Sequence, residues 1–470
     1  MSGAAAVQRE ERAAAEILAG WAGALRAEEI PAAVREALTR TLMDSLGLMV
    51  AARNEAYIDS VIRSADGEGL CSIVGHSGRF DVMTAALANG TAVHGEDYDD
   101  TFEGTPVHVG AVMVPAILAA GEQRRIAGED LLRGLAVGAE LICRLALVAP
   151  TAMHRQGFHP TAVCGALGAA AGVATALRLP PAQIASALGI VGSMASGIIE
   201  YLAEGTWTKR MHPGWAAGAG WRAARLAESG FVGPRTVFEG EHGAFHAFAV
   251  PGIARDFSHL REGWGSRWEV ANLAFKPYAC GTMAQPFIDC ALQLRERIAD
   301  VRAIESIVAR VGEGTVHRLW EPQAEKARPS TPYGAKFSVP YCVAVALLDG
   351  DAGLGQFTES RIADPAVLAE AAKVSYVIDP ENEYPRNYTG DLRVTLKDGT
   401  ELTANQPCLR GGRGAPLEEA ELWQKFRNNV RFGGWDDDRA EALAGFARAA
   451  FAAPDIDKLK TFADEERPRE

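Results

Sequence analysis

From His94 to His108 the chain reads His-Gly-Glu-Asp-Tyr-Asp-Asp-Thr-Phe-Glu-Gly-Thr-Pro-Val-His, five carboxylates and two histidines between two apolar helical patterns. Acids persist beside buried helices only when each charge is paired or hydrogen-bonded, so this cluster is either a solvated loop or part of a site. Two further segments bear on that choice: Gly157-Phe158-His159-Pro160 and Thr208-Lys209-Arg210-Met211-His212-Pro213-Gly214. Each places His-Pro directly before a long Ala/Gly-rich helical pattern. A helix N-terminus presents unpaired N–H groups and a positive dipole end, and proline is favoured in its first turn. His159 and His212 are therefore expected at the mouths of helices, with Lys209 and Arg210 one turn upstream of the second. These groups suit a ligand with two or more carboxylates and an imidazole close enough to move a proton.

Taken singly, each His-Pro more often caps or packs in a bundle, and a lone Lys209 is a solvated side chain. Two such motifs beside Lys-Arg make the site reading competitive. Within the acid cluster, Asp97 is expected to accept a hydrogen bond from an imidazole and fix its tautomer, with His108 facing the substrate as acid or base. Glu96, Asp99, Asp100 and Glu103 are expected to be solvated or to cap the next helix. A calcium loop counted from Asp97 would need Gly sixth and Glu twelfth, where Phe102 and His108 stand, and no His-Glu-x-x-His occurs, so no metal is expected. No Gly-x-Ser-x-Gly, Walker loop or strand-bound Gly-x-Gly-x-x-Gly is present. His242 and His246 read as structural, and Arg410–Gly414 as a flexible connection.

These residues need elements to position them. Helical spacing runs from residue 9 to about 265: Ala33–Ala52, Asp81–Val93, Val109–Gln123, Gly128–Ala149, Thr161–Leu177, Pro181–Leu202, Gly214–Ser229 and Pro234–Phe238, with Gly230 as a C-terminal cap. Near Trp268 the texture changes. Ile304–Val311, Lys373–Ile378 and Leu392–Leu396 are β-branched or alternating, and Asp398-Gly399 predicts a hairpin turn before Glu401–Thr403. Helical patterns lie among them at Gln285–Arg297 and Phe337–Leu348, and helices return over Leu417–Phe432 and Asp438–Phe451. The predicted fold is mainly α: a large all-helical domain built from both chain ends (1–269 and 408–470), with a smaller inserted α+β lid domain (270–407).

Composition bounds the rest. At 470 residues, 48% hydrophobic and 23% charged, the chain describes a soluble globular protein of two or three domains. A net charge of −13 argues against nucleic acid as the main partner. Seven scattered cysteines without Cys-x-x-Cys predict buried thiols in a reducing cytoplasm. Met1–Ala24 mixes Ala with Arg and Glu and lacks a signal peptide's apolar run. The uncharged stretches Thr161–Leu177 and Gln183–Ile199 are Ala, Gly and Ser rather than Leu and Phe, which favours tight helix packing over membrane insertion.

Several spaced motifs, in order, span essentially the whole chain: Asn89-Gly90 before His94-Gly95-Glu96-Asp97-Tyr98-Asp99-Asp100; His108 before Pro115; Gly157–Thr161 before Gly165 and Gly168-Ala169-Ala170; Thr208-Lys209, His212 and Gly214; Phe275-Lys276-Pro277-Tyr278; and Lys336-Phe337-Ser338 before Leu347-Leu348-Asp349-Gly350. Together they resemble the MmgE/PrpD family. The resemblance implies the helical domain with its inserted lid, a homodimer, and a cleft between domains without metal or organic cofactor. It carries site roles onto Asp97, His108, His159 and Lys209, expected to be catalytic, and Lys209, Arg210, His212, Lys276 and Tyr278 are the expected substrate-binding residues. The implied activity is a lyase on a small polycarboxylate, with a 2-methylcitrate dehydratase-like hydro-lyase as the first expectation. An iminodisuccinate epimerase-like isomerase, a cis-aconitate decarboxylase-like lyase and a non-catalytic polycarboxylate-binding relative are the alternatives. The resemblance fails in the lid: decarboxylases of this family carry a histidine where Ala279–Gln285 stands, and a tyrosine where Val316-His317 stands.

Overall fold

A computed structural model describes residues 12–463 apart from Gly104 and Pro106. The first part of the Met1–Ala24 stretch, and the last residues of the expected 408–470 segment, lie outside the described residues. The chain is mainly helical. Its first half is built from α1 (Ala32–Ala52), α2 (Val82–Gly95), α3 (Gly110–Arg124), α4 (Gly128–Val148), α5 (Pro160–Ala176), α6 (Pro181–Gly192) and α7 (Thr208–Glu228). Helix α5, buried from Thr161 to Ala176, packs on α4 and α7, and α7 continues onto α2. Small residues make that crossing close. A Cβ on Gly90 would stand 2.4 Å from the Gly214 Cα, and one on Gly214 would stand 2.3 Å from the Leu87 carbonyl oxygen. Gly214→Ala should therefore cost about 1–3 kcal/mol in unfolding free energy by urea titration; a wild-type midpoint would refute the tight crossing.

Two short strands, β1 (Glu68–Cys71) and β2 (Thr101–Phe102), interrupt the helices that the sequence pattern continues unbroken. The second pairs with β3 (Leu273–Ala274) in a two-stranded antiparallel ribbon, Thr101 opposite Ala274. The helix expected over Pro181–Leu202 ends at Gly192, and after an irregular stretch only Tyr201–Glu204 is helical. Gly197 in that stretch has φ +116°, a conformation a helix excludes, and its carbonyl accepts the His159 N–H at 2.8 Å. Pro234–Phe238 forms turns instead of a helix. The cap at Gly230 is as expected: its N–H bonds the Ala227 carbonyl, and the Phe231 N–H reaches back to Leu226.

Beyond β3 the chain forms a four-stranded sheet of β4 (Ile304–Val311), β5 (Val374–Ile378), β6 (Gly390–Leu396) and β7 (Glu401–Gln406), in the order β5-β4-β6-β7. β4 runs parallel to β5 and antiparallel to β6, and β6 and β7 form the hairpin turned at Gly399. Alternation in β6 turns Leu392 and Val394 inward and Arg393 outward. Helix α8 (Gln285–Arg295) covers β6 and β7, α9 (Val339–Asp349) packs on α8, and α10 (Pro365–Ala371) packs on α9. Finally α11 (Glu419–Phe432) and α12 (Asp437–Ala449) return to pack on α1. The Arg410–Gly414 connection is pinned, not flexible. Gly411 bonds the Phe275 N–H through its carbonyl, and the Arg413 N–H donates to Glu103. No helix among the described residues is long and apolar enough to cross a membrane.

Candidate active site

The acid-rich segment leaves the C-terminus of α2 as a tight turn, with Asp97 in the left-handed region at φ +53°. Aspartate tolerates that region better than most residues, although strain persists only where surroundings enforce it. Here cations from four distant elements grip successive carbonyls. Arg210 Nε donates to Gly95 O (2.9 Å), Lys336 Nζ to Glu96 O (2.9 Å), Lys276 Nζ to Asp97 O (2.7 Å) and Lys425 Nζ to Tyr98 O (2.8 Å). His108 Nδ1 completes the series on Asp100 O at 2.8 Å. Charge-assisted bonds of this kind are stronger than neutral ones.

Four imidazoles converge beside this turn: His94, His108, His159 and His212, all buried. The His94 ring stacks on His159 at 5.5 Å and meets His108 edge-on at 4.7 Å. His159, the N-cap residue of α5, faces His212 with their Nδ1 atoms 3.2 Å apart. At that distance one nitrogen donates and the other accepts. Because a carbonyl can only accept, the His108 Nδ1 bonded to Asp100 O carries the proton, leaving Nε2 with a lone pair when the ring is neutral.

Burial pushes His94 down to about 4 against the pull of Asp99, and pushes His212 down to about 4 with Lys209 adding to the effect. It also holds His159 well below the usual histidine range, reinforced by His94, Lys209 and His212. A histidine buried neutral leaves the unfolded chain free to take up a proton near its ordinary value of 6.5. Stability is therefore full above about pH 6.5 and falls as the pH drops towards about 4. Urea unfolding across that range should show the decline; a flat profile would contradict neutral burial.

The carboxylates sort differently from the sequence expectation. Asp99, not Asp97, holds the imidazoles: its Oδ2 lies 2.7 Å from His94 Nδ1 and 3.3 Å from His108 Nδ1. Burial works to raise Asp99, but His108 and His94 outweigh it and keep the carboxyl well below its usual range. Asp97 turns the other way, because the left-handed residue redirects its side chain to Lys209 Nζ (2.8 Å) and Lys276 Nζ (3.4 Å). Those two lysines outweigh burial and hold Asp97 ionised, and Asp97 in turn raises Lys209 above its usual range. Asp99 and Asp100 are buried rather than solvated. Asp100 Oδ1 does cap α3, accepting the Gly110 N–H at 2.9 Å, and burial raises its carboxyl to about 7. Glu96 binds Lys336 (3.0 Å) and Tyr57 (2.9 Å).

The remaining candidates divide. His212 is not at a helix mouth: α7 begins a turn earlier, at Thr208, so Lys209 and Arg210 belong to its first turn and Pro213 lies inside it. The His-Pro signal misplaced this start because proline near an N-terminus fixes only φ, not the first residue. Arg210 lies between the rings of Tyr57 (4.5 Å) and Tyr333 (4.6 Å). Lys276 is committed to Asp97. Tyr278 stands apart from the histidines, donating to Asp289 Oδ1 at 2.6 Å and accepting from Arg410 at 3.0 Å. His242 and His246 face each other elsewhere.

His94, Asp99, Lys336 and Lys425 are site residues that sequence reasoning passed over. His94 and Asp99 lay within the opening motif, but nothing in the spacing said which acids point inward. His94, Asp99 and His108 also bring three donor atoms within 4.8 Å of one another, a set that could bracket a cation. Two ligands on one ion about 2.1 Å away stand about 3.0–3.4 Å apart. The 2.7 Å His94–Asp99 separation is a hydrogen-bond distance, and His94 Nε2 and Asp99 Oδ1 are buried without a hydrogen-bond partner.

The model of the MmgE/PrpD N-terminal domain matches residues 16–253, and that of the MmgE/PrpD C-terminal domain matches residues 278–445. The cis-aconitate decarboxylase-like protein oryM of Aspergillus oryzae is 26% identical, covering 94% of this chain and 95% of its own length. Human cis-aconitate decarboxylase is 30% identical over 75% of this chain and 73% of its own. The 2-methylcitrate dehydratase of Cupriavidus necator is 26% identical over 44% of each.

Proposed function

Because the chain belongs to the MmgE/PrpD family, we propose that it is a lyase acting at a carbon next to a carboxylate of a small polycarboxylic acid. The observation that carries this reading is the cluster of neutral buried imidazoles beside the Lys209–Asp97 pair. Removing a proton next to a carboxylate needs a base that is unprotonated at neutral pH and a cation where negative charge develops. The histidines supply the first and Lys209 the second.

In the hydro-lyase form, which we favour, Lys209 and His212 hold substrate carboxylates, and His108 and His159 move protons. One imidazole takes the α-proton, and the electron pair passes into the carboxylate facing Lys209. The double bond forms as the β-hydroxyl leaves as water, taking up the proton of the imidazolium just formed, directly or relayed through the second imidazole. Asp99 orients His94 and His108, and Asp97 keeps Lys209 charged and in place. No step calls for a metal or organic cofactor. The 270–407 unit acts as a lid on the helical body of 1–269 and 408–470, and the working form is a homodimer in the cytoplasm.

Decarboxylation is the second reading, favoured by the names of relatives that span three quarters or more of the chain. Against it stand the lid segments: Ala279–Gln285 offers no imidazole, and His317 is exposed on the short helix Glu313–Leu319. Incubating the enzyme with 2-methylcitrate, citrate, cis-aconitate and iminodisuccinate in deuterated water, followed by NMR, separates these outcomes. A new alkene from a hydroxy acid supports dehydration. Carbon dioxide from cis-aconitate overturns it in favour of decarboxylation. Deuterium entering iminodisuccinate with inversion, and no alkene, would make the enzyme an epimerase. Binding without turnover would leave a non-catalytic relative.

A further inference from the structure

Tyr333 lies on a four-residue helical turn, Pro332–Ala335, just before α9, and the turn is held at both ends. At its start, Thr331 Oγ1 accepts the Gly334 N–H at 3.0 Å. Just past its end, the buried Lys336 reaches the Glu96 carbonyl and carboxylate. Tyr333 is thereby delivered from the C-terminal half of the chain onto the two cations that open α7. Its ring covers Arg210 at 4.6 Å and lies 5.9 Å from the Lys209 ammonium. Phe337, 5.5 Å from Tyr333, forms the other aromatic wall beside Lys209, at 5.7 Å.

The ring is partly exposed, yet the hydroxyl oxygen is buried and has no hydrogen-bond partner of normal length. Lys209 is near enough to act on the phenol, but its ammonium is directed to Asp97. A buried hydroxyl left unpaired is costly, whereas phenylalanine would cover Arg210 without that cost. A hydroxyl kept here, beside a cation assigned to a carboxylate, is explained by a partner that arrives with the ligand. Burial also raises this phenol to about 12, which keeps it a donor at neutral pH.

We propose that Tyr333 is a substrate-binding residue whose hydroxyl donates to the carboxylate held by Lys209. The assignment rests on the polycarboxylate reading above. It gives the site a donor from the lid side, although the lid positions at 279–285 and 316–317 lack the side chains the family resemblance calls for. The test is calorimetric binding of citrate, 2-methylcitrate and cis-aconitate to the wild-type enzyme, Y333F and Y333M. Both variants should bind about 10- to 100-fold more weakly, with unfolding midpoints no lower for Y333F. A purely structural tyrosine would show the opposite pattern. Wild-type affinity in Y333F overturns the role of Tyr333 while leaving the polycarboxylate reading intact. Failure of all three acids to bind the wild-type enzyme overturns that reading and the Tyr333 assignment with it.

Discussion

Lys209→Met should lower kcat/KM by about 10³-fold, the scale of losing a preorganised charge opposite developing negative charge. Methionine keeps much of the side chain's bulk, so packing against Tyr333 and Phe337 changes little. Two things are lost together: the cation that faces the substrate carboxylate, and the closest counter-ion of Asp97. Lys276, at 3.4 Å, then holds Asp97 alone. The loss should be mainly in kcat if the charge acts on the transition state, and mainly in KM if it only anchors the ground state. Lys209→Arg restores the charge but not the compact ammonium geometry, and should recover only part of the rate. Steady-state assays on whichever acid is turned over check this, and near-full activity in Lys209→Met removes Lys209 from the mechanism.

His159→Asn should lower turnover by about 10²–10⁴-fold, as expected when a group that moves protons is replaced by one that cannot. The amide can still bond to His212 across the 3.2 Å gap, so the fold and the start of α5 are preserved. Unchanged unfolding with lost turnover is the expected pair of results. Turnover within a few-fold of wild type would transfer the proton-moving role to His94 or His108, which share Asp99.

Much of this architecture was legible in the sequence because it rests on local rules. The β6–β7 hairpin follows from alternation and Asp398-Gly399, and α4 and α5 from apolar spacing and a proline at the start. His108, His159, Lys209 and His212 could be singled out by residue type and spacing ahead of helical patterns, although α7 starts a turn before His212, and the structure brings all four together with Asp97. What the sequence hid was direction and distance. One left-handed residue, Asp97, decides which carboxylates of the turn face lysines and which face imidazoles. No periodicity encodes a single positive φ. The grip of the lysines on the turn was hidden by separation, even for Lys276, which the motifs single out: Lys276, Lys336 and Lys425 stand 179, 240 and 327 residues from the carbonyls they meet. Tyr333 was hidden for the same reason.

Those separations bear on how the enzyme comes into being. The turn from Gly95 to Asp100 is translated early, but the lysines that grip it are made much later, the last of them on α11. A nascent or truncated chain that stops before α11 can collapse its first helices and bury its histidines, yet it lacks the grip on Tyr98. Slow, non-local closure of this kind is a late event in folding. Activity should therefore switch on only once the whole polypeptide has been made. Partly synthesised or proteolytically clipped molecules would then be inert, and would not consume metabolites with a half-formed site.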